Sequence, residues 1–370
     1  MKSFFQFLGR AYKYFRGTKR VWRKPPRADL LIIDRGTASP LDEMFAHHNP
    51  HIMDIRGESV NMLALLRAVP KIHLGAVAYL EAYIDFVKPK LILSRTDNNP
   101  TLWQLKRRPN STYKVALIQN GWRTPHETSI SKPVGLLDNT VDTYFSFGNC
   151  SSTLIAGYIR ANFVEIGSLK ANHYEHFTRN YPGTDIALIS TYREKEKKSY
   201  REFDKFIENV SKVCLKKSLS IIVIGCQIGE TEQLKELSYY ENLNWHCNWK
   251  FHKKINTVAS YEALRLVRLV IVENSTLGYE SLVLGMRTGF FTVRAKNFAT
   301  EQFAQTLGLD ARGKFWTNDA TAEEIERILS YLSDATEVQW RIDSGAIIGQ
   351  LISHDFRNIK LRSYVREILN

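Results

Sequence analysis

Short apolar runs recur along this chain, each about one strand long, each closed by a polar turn and followed by a helix-length segment. The stretch from Arg268 onward shows the pattern. Arg268-Leu-Val-Ile-Val-Glu273 is followed by the polar Asn274-Ser-Thr-Leu-Gly-Tyr-Glu280, then by Ser281-Leu-Val-Leu-Gly285 and a new apolar run over 286–293. This reads as buried strand, turn, short helix ended by glycine, next strand. Parallel strands need crossover connections, and helices supply them, so a chain built this way folds as an α/β protein with parallel, doubly wound sheets.

Two series of such units are present. In the first, strands are expected over 29–34, 51–55, 91–94, 114–119, 143–147 and 163–166, with helices over 59–69 and 74–87. In the second, strands are expected over 186–190, 220–225, 244–249, 269–272 and 288–293. Its helices are expected over 200–215, 230–239, 260–266 and 276–284, and two more, over 322–333 and 337–352, close the series. A chain of 370 residues exceeds one ordinary core. The expected division is a basic segment at 1–27, a first domain at 28–171, a linker at 172–184 around Pro182-Gly183, a second domain at 185–352, and a last helix at 353–370.

The net charge of +13 is unevenly placed: nine cations and no acid lie in residues 1–27. The body is therefore nearly neutral, which argues against a nucleic-acid groove, and no nucleic-acid partner is expected. Within the basic segment Phe4, Phe5, Leu8, Tyr12 and Phe15 share one helical face, flanked by Arg10, Lys13 and Arg16. That pattern fits an amphipathic helix lying on an anionic membrane surface; a helix packed on the body with a solvated basic rim is the plainer alternative. Four scattered cysteines without a Cys-x-x-Cys pair fit a reducing cytoplasm, and no run of about 18 apolar residues predicts a membrane span.

Open α/β sheets bind ligands beyond the carboxyl ends of their strands. The polar motifs fall there. Ser275 and Thr276 open a helix, where free N–H groups and the helix dipole favour a phosphate, although Ser and Thr are also ordinary caps. Glu280, one turn on, can reach a ribose. Ser190 and Arg193 follow the first strand of the second domain, and the Arg193 fork suits a diphosphate or a carboxylate. Ser168 and Lys170 follow the last strand of the first domain, with Lys170 able to face an anion across the cleft.

Asn120 and Arg123 lie in a loop that also holds His126 and Glu127, so cation, imidazole and carboxylate come together as substrate contacts. Asp97, beside Asn98, is the first choice for a general base toward an acceptor hydroxyl, with Glu127 or His126 in reserve; an Asx-turn before Pro100 is the alternative. The chain lacks Gly-x-Gly-x-x-Gly, a Walker motif and Asp-x-Asp. No cofactor or metal is therefore expected, and a leaving phosphate would be stabilised by protein cations and a helix dipole.

Taken together, these motifs resemble GT-B type glycosyltransferases, in particular bacterial proteins of capsule and lipopolysaccharide synthesis. The resemblance rests on Thr96-Asp-Asn-Asn99, Ile118-Gln-Asn-Gly-Trp-Arg123, Tyr144-Phe-Ser-Phe-Gly148, Ile166-Gly-Ser-Leu-Lys170, Ile189-Ser-Thr-Tyr-Arg193 and Asn274–Glu280. It implies two Rossmann-like domains facing a cleft, a nucleotide-sugar donor on the second, and a glycan or lipid-linked acceptor on the first. It also implies a last helix that returns to the first domain. The Ser/Thr helix start is similar to that of transferases using CMP-linked ulosonic acids such as Kdo. The alternatives are a sugar-nucleotide epimerase of the same fold and a non-catalytic nucleotide- or glycan-binding protein of a membrane assembly.

Overall fold

In a computed structural model the described residues are 17–107, 111–123, 139–174, 186–193, 201–294, 303 and 307–370. The apolar runs of the first domain form β2 (Leu30–Ile33), β3 (His51–Met53), β5 (Leu91–Ser94), β6 (Lys114–Ile118), β7 (Thr140–Ser146) and β8 (Arg160–Glu165). They make one parallel sheet in the order β3-β2-β5-β6-β7-β8. The second sheet joins β9 (Ile186–Ile189), β10 (Ile221–Ile224), β11 (Trp249–His252), β12 (Leu269–Val272), β13 (Arg287–Phe291) and β14 (Trp316–Thr317) in the order β11-β10-β9-β12-β13-β14. Both sheets are doubly wound. The strand order reverses between β2 and β5 in the first and between β9 and β12 in the second.

Continuous apolar strands are what a sheet covered on both faces requires. Side chains alternate along each strand, so one strand feeds two cores. Leu31 and Ile33 enter a core with Ala78, Leu80 and Ile84 of the Ala76–Val87 helix. Leu30 and Ile32 enter the opposite one with Leu41, Met44 and, from the C-terminal Ile359–Leu369 helix, Leu361, Val365 and Leu369. The last helix thus packs on the first sheet although it follows the second domain. The second core holds β9, β10, β12 and β13 against Phe203, Phe206, Ile207 and Val210 of the Arg201–Lys216 helix.

The strap that carries the chain back fixes two glycines. Ser353 N donates to Phe147 O at 2.6 Å. A Cβ on Gly148 would stand 2.8 Å from Leu351 O, and one on Gly167 would stand 1.8 Å from Ser353 O. Gly167 also has φ +73, where a side chain is strained. The glycine ahead of Ser168 serves the strap's close approach.

Several expected elements differ. The helix expected over 59–69 begins as a strand, β4 (Ser59–Asn61), paired in parallel with β1 (Lys19–Val21). Asn61 then caps the Met62–Ala68 helix by accepting from Ala64 N at 3.0 Å, which sets its start. The strand expected over 244–249 runs instead from Trp249 to His252, because the Trp245 indole donates to Tyr240 O at 2.7 Å and wraps this segment around a helix end. The start of the expected 172–184 linker belongs to the Leu169–Tyr174 helix, where buried Asn172 donates to Ile166 O and Asn358 Oδ1; residues 175–185 lie outside the described residues. Of the basic segment, 1–16 lie outside them too, while β1 is paired to the body and Lys24 stands over the Phe86 ring. No helix among the described residues is long and apolar enough to cross a membrane.

Gly167→Ala should cost ~2–4 kcal/mol, because added bulk and positive φ act together. Urea denaturation measures this; an unchanged midpoint would mean that the strap yields freely.

Candidate functional site

The two sheets meet at the carboxyl ends of their strands, and the contacts across that seam are specific. From the first domain, Trp122 N donates to Thr276 Oγ1 at 2.9 Å, and the Trp122 ring stacks on Tyr279 with centroids 4.0 Å apart. Ser168 Oγ donates to Glu280 Oε1 at 2.5 Å, and Lys170 Nζ lies 3.9 Å from the same oxygen. Tyr174 packs against Tyr261, with ring centroids 5.1 Å apart. The Thr276–Val283 helix therefore starts directly at the seam. Ser275 is its N-cap but makes no side-chain hydrogen bond to the helix, which leaves its half-buried hydroxyl uncommitted to capping.

The expected site residues divide into those that face the seam and those engaged in holding loops. Asp97, buried to 2% exposure, accepts from Arg123 Nε at 3.1 Å, Arg123 Nη2 at 2.5 Å, Tyr144 Oη at 2.8 Å and Asn120 N at 3.2 Å. Its carboxylate is thus a knot tying three segments, and Arg123 is clamped on it rather than on open cleft. Asn120 Oδ1 accepts from Arg95 Nη2 at 2.6 Å. Asn98 is half-buried, and its neighbour Asn99 caps the Pro100–Trp103 helix by accepting from Thr101 N, so an Asx-type cap does form before Pro100.

Ser190 Oγ donates to buried Glu236 at 2.5 Å, and Glu236 also accepts from the Cys226 and Gln227 backbone, so this hydroxyl braces the β9 and β10 loops. Glu280, read as a ribose contact, has both oxygens taken: Oε2 accepts from Tyr261 Oη at 2.7 Å and Oε1 from Ser168. Arg193 is exposed at the end of the β9 loop. His126 and Glu127 lie outside the described residues. Among the described residues no group of three or more His, Cys, Asp or Glu side chains could hold a metal.

Two clusters that the motifs did not reveal mark the switch points, where such folds place ligands. At the first, Asp34 follows β2 with φ 82 and ψ 93. Its buried carboxylate accepts from Arg56 Nε and Nη2, from Gly36 N at 3.1 Å and from Thr96 Oγ1 across the β2–β5 divide. At the second, Glu273 follows β12 and accepts from Arg294 Nε at 2.7 Å, from Arg294 N at 3.0 Å and from Thr191 Oγ1 at 3.3 Å across the β9–β12 divide. Each divide is bridged by a carboxylate, a threonine and an arginine. The one signal in the sequence was an acid directly after an apolar strand; the arginines come from other turns, 22 and 21 residues away.

Residues 116–369 match the model of a family described as "putative O-antigen biosynthesis protein". The chain belongs to this family. No curated protein sequence matches it. Among solved structures it is similar to the wall teichoic acid polymerase TagF, with TM-score 0.54 and 12% identity over 93% of this chain and 88% of that one. It is similar to a "putative UDP-N-acetylglucosamine 2-epimerase" from Listeria monocytogenes, with TM-score 0.58, 11% identity and 92% and 96% coverage. A third is the Methanocaldococcus jannaschii UDP-GlcNAc 2-epimerase, solved with UDP-GlcNAc and UDP, at TM-score 0.52, 8% identity and 91% and 99% coverage. Two facing Rossmann-like domains of this kind are the GT-B arrangement.

The Asp34 cluster also makes a pH prediction. Burial pushes the Asp34 carboxyl up, but hydrogen bonds from Arg56, Thr96 and Thr37 outweigh it and hold the group below its ordinary 3.8. A carboxylate depressed in the folded state stabilises above the unfolded value and loses that stabilisation as pH falls through the folded value. Asp34→Asn, which tolerates the positive φ, should lower stability above pH 5 by an amount that shrinks below pH 4. Denaturation midpoints across pH 3–7 test this; a constant offset would count against it.

Proposed function

We propose that this protein is a metal-independent glycosyltransferase, moving a sugar from a nucleotide-sugar donor to a glycan or lipid-linked acceptor in O-antigen or similar surface-polysaccharide synthesis. The observation that carries the reading is the start of the Thr276–Val283 helix. It stands at the seam of a GT-B fold, with Ser275 free of capping and Lys170 within 3.9 Å of Glu280 on that same helix. A helix start offers N–H donors and positive potential to a phosphate, and a cation near it favours departure of a nucleoside mono- or diphosphate.

In this reading Ser275, Thr276 and the helix start hold the donor phosphate, and Lys170 and exposed Arg193 add charge. Ser168 and Ser190 act indirectly, by bracing Glu280 and Glu236. Asn98 and Asn120 face the acceptor side, and Arg123 positions the loop through Asp97. With its oxygens occupied by four donors, Asp97 serves that loop better than it serves as a base, so acceptor deprotonation falls to His126 or Glu127. The donor is a nucleotide-linked hexose or a CMP-linked ulosonic acid.

Nucleotide binding is the direct test. One of CMP, CDP, UDP or GDP should raise the unfolding temperature, with stabilisation of about 2.7 kcal/mol at a hundredfold excess over Kd. A Ser275→Ala/Thr276→Ala double variant should lose that increment. No shift with any of the four at millimolar concentration would end the transferase reading. An epimerase is separated by its products: it yields an isomer or free sugar without any acceptor.

A peripheral position on the inner face of the cell membrane, through the basic N-terminal segment, completes the proposal. β1 belongs to the folded body, so the variant that isolates the question removes residues 1–16 only. Anionic liposomes should retain less of the shortened chain while the nucleotide shift survives. Equal retention would dispose of this anchor.

A further inference from the structure

The Met62–Ala68 helix is turned inside out for its composition. The side chains it buries are small: Ala64 and Ala68 enter the core beside the Ala76–Val87 helix. Leu66 is 57% exposed, and Val69, just past the helix, is 54% exposed. A surface helix ordinarily turns its large apolar side chains to the core. Trp22, directly after β1, is 60% exposed as well. These three share one surface. Asn61, the cap of that helix, donates its side-chain amide to Arg23 O at 2.8 Å, which sets Trp22 and Arg23 beside the helix start. Lys24 and Arg67 then stand over the same Phe86 ring, 5.6 and 5.2 Å from its centroid, so the chain after Trp22 runs along the Leu66 turn.

Exposed large apolar groups in a cluster mark a contact surface, and the charge around them says what it meets. Lys19, Arg20, Arg23, Lys24 and Arg27 are all exposed around Trp22, and residues 17–27 hold no acid. Arg67 and Lys71 extend the cationic rim, with Asp85 at 3.3 Å and buried Glu81 at 3.7 Å as their counter-ions. The chain ahead of β1 enters the body at this edge, and its sequence sets Arg10, Lys13 and Arg16 among Phe4, Phe5, Tyr12 and Phe15. An indole and aliphatic side chains ringed by cations suit the surface of an anionic bilayer, where the ring sits at headgroup level and the cations meet lipid phosphates. The surface also lies close to the first switch point: the loop from β3 to β4 carries Arg56, which holds Asp34.

We propose that Trp22, Leu66 and Val69 insert into the headgroup layer of an anionic bilayer while Arg20, Arg23 and Lys24 meet its phosphates, so that the folded first domain is itself a membrane contact. This contact rests on the peripheral position proposed above and adds to it a second anchor, built into the fold rather than into residues 1–16. It brings the bilayer to the side of the first domain that carries the Asp34 switch point.

Sedimentation of the full chain with vesicles of phosphatidylglycerol and phosphatidylcholine tests the surface. A Trp22→Ser/Leu66→Ser/Val69→Ser variant should bind about tenfold more weakly or worse, because three apolar side chains no longer leave water. Arg20→Gln/Arg23→Gln should weaken binding to these vesicles and leave binding to pure phosphatidylcholine unmoved. Leu66→Trp should strengthen binding, a gain that misfolding cannot mimic. The changed side chains are exposed, so the unfolding temperature should hold in all three. Vesicle binding unmoved by the triple variant or by the arginine pair, or not raised by Leu66→Trp, would overturn the proposal. The chain lacking residues 1–16 separates the two anchors. If that deletion abolishes binding and the triple variant changes nothing, the segment alone is the anchor and the folded surface falls. If the deletion changes nothing and the triple variant abolishes binding, the folded surface stands and the segment falls. A full chain that ignores anionic vesicles would sink both.

Discussion

A carboxylate buried between two domains must find donors on both sides, and at Glu280 it does: Ser168 from the first domain, Tyr261 from the second. The rest of the seam is arranged around that requirement. Trp122 lies flat on Tyr279 and gives its N–H to Thr276, so the same short helix is gripped at its first turn and at its second. Such polar contacts are directional, whereas the apolar cores stay largely within each domain. The seam therefore sets the relative position of the sheets through a few hydrogen bonds and ring contacts. The strap and the C-terminal helix, packed on the first sheet, also tie the domains together.

The two switch points show one solution used twice. Where strand order reverses, crossover chains leave in opposite directions and the strand ends lose neighbours. In each sheet a buried carboxylate fills that gap, taking a hydroxyl from across the divide and a forked arginine from another turn. An arginine fork suits this because it satisfies several lone pairs in one plane. The Arg294 guanidinium also lies over the Phe203 ring, which ties the second cluster to the Arg201–Lys216 helix.

Much of the fold was legible because a strand buried on both faces must be apolar throughout. Leu91–Ser94 and Leu269–Val272 coincide with their expected limits for that reason. Misjudged elements have mixed patterns. Ser59-Val-Asn61 reads equally as a helix start, and only its partner β1 makes it a strand. Trp245 and Cys247 alternate like a strand, but the indole's reach to Tyr240 bends them away. In the candidate site, the motif positions were readable as strand ends, whereas the partners of each side chain were not. Asp97 reads as a free carboxylate until Arg123, Tyr144 and Asn120 are found on it.

By itself the sequence determined two parallel sheets, the turns that would carry polar groups, and the helix start at Ser275, because strand burial and helix capping are written in neighbouring residues. Tertiary structure alone decided which of those polar groups are occupied. Glu280 meets Ser168 across 112 residues, Thr276 meets Trp122 across 154, and the Arg95 Nε is left buried without a hydrogen-bond partner. Pairings over such distances follow from how two separately folded sheets close on each other, and no local pattern encodes that closure.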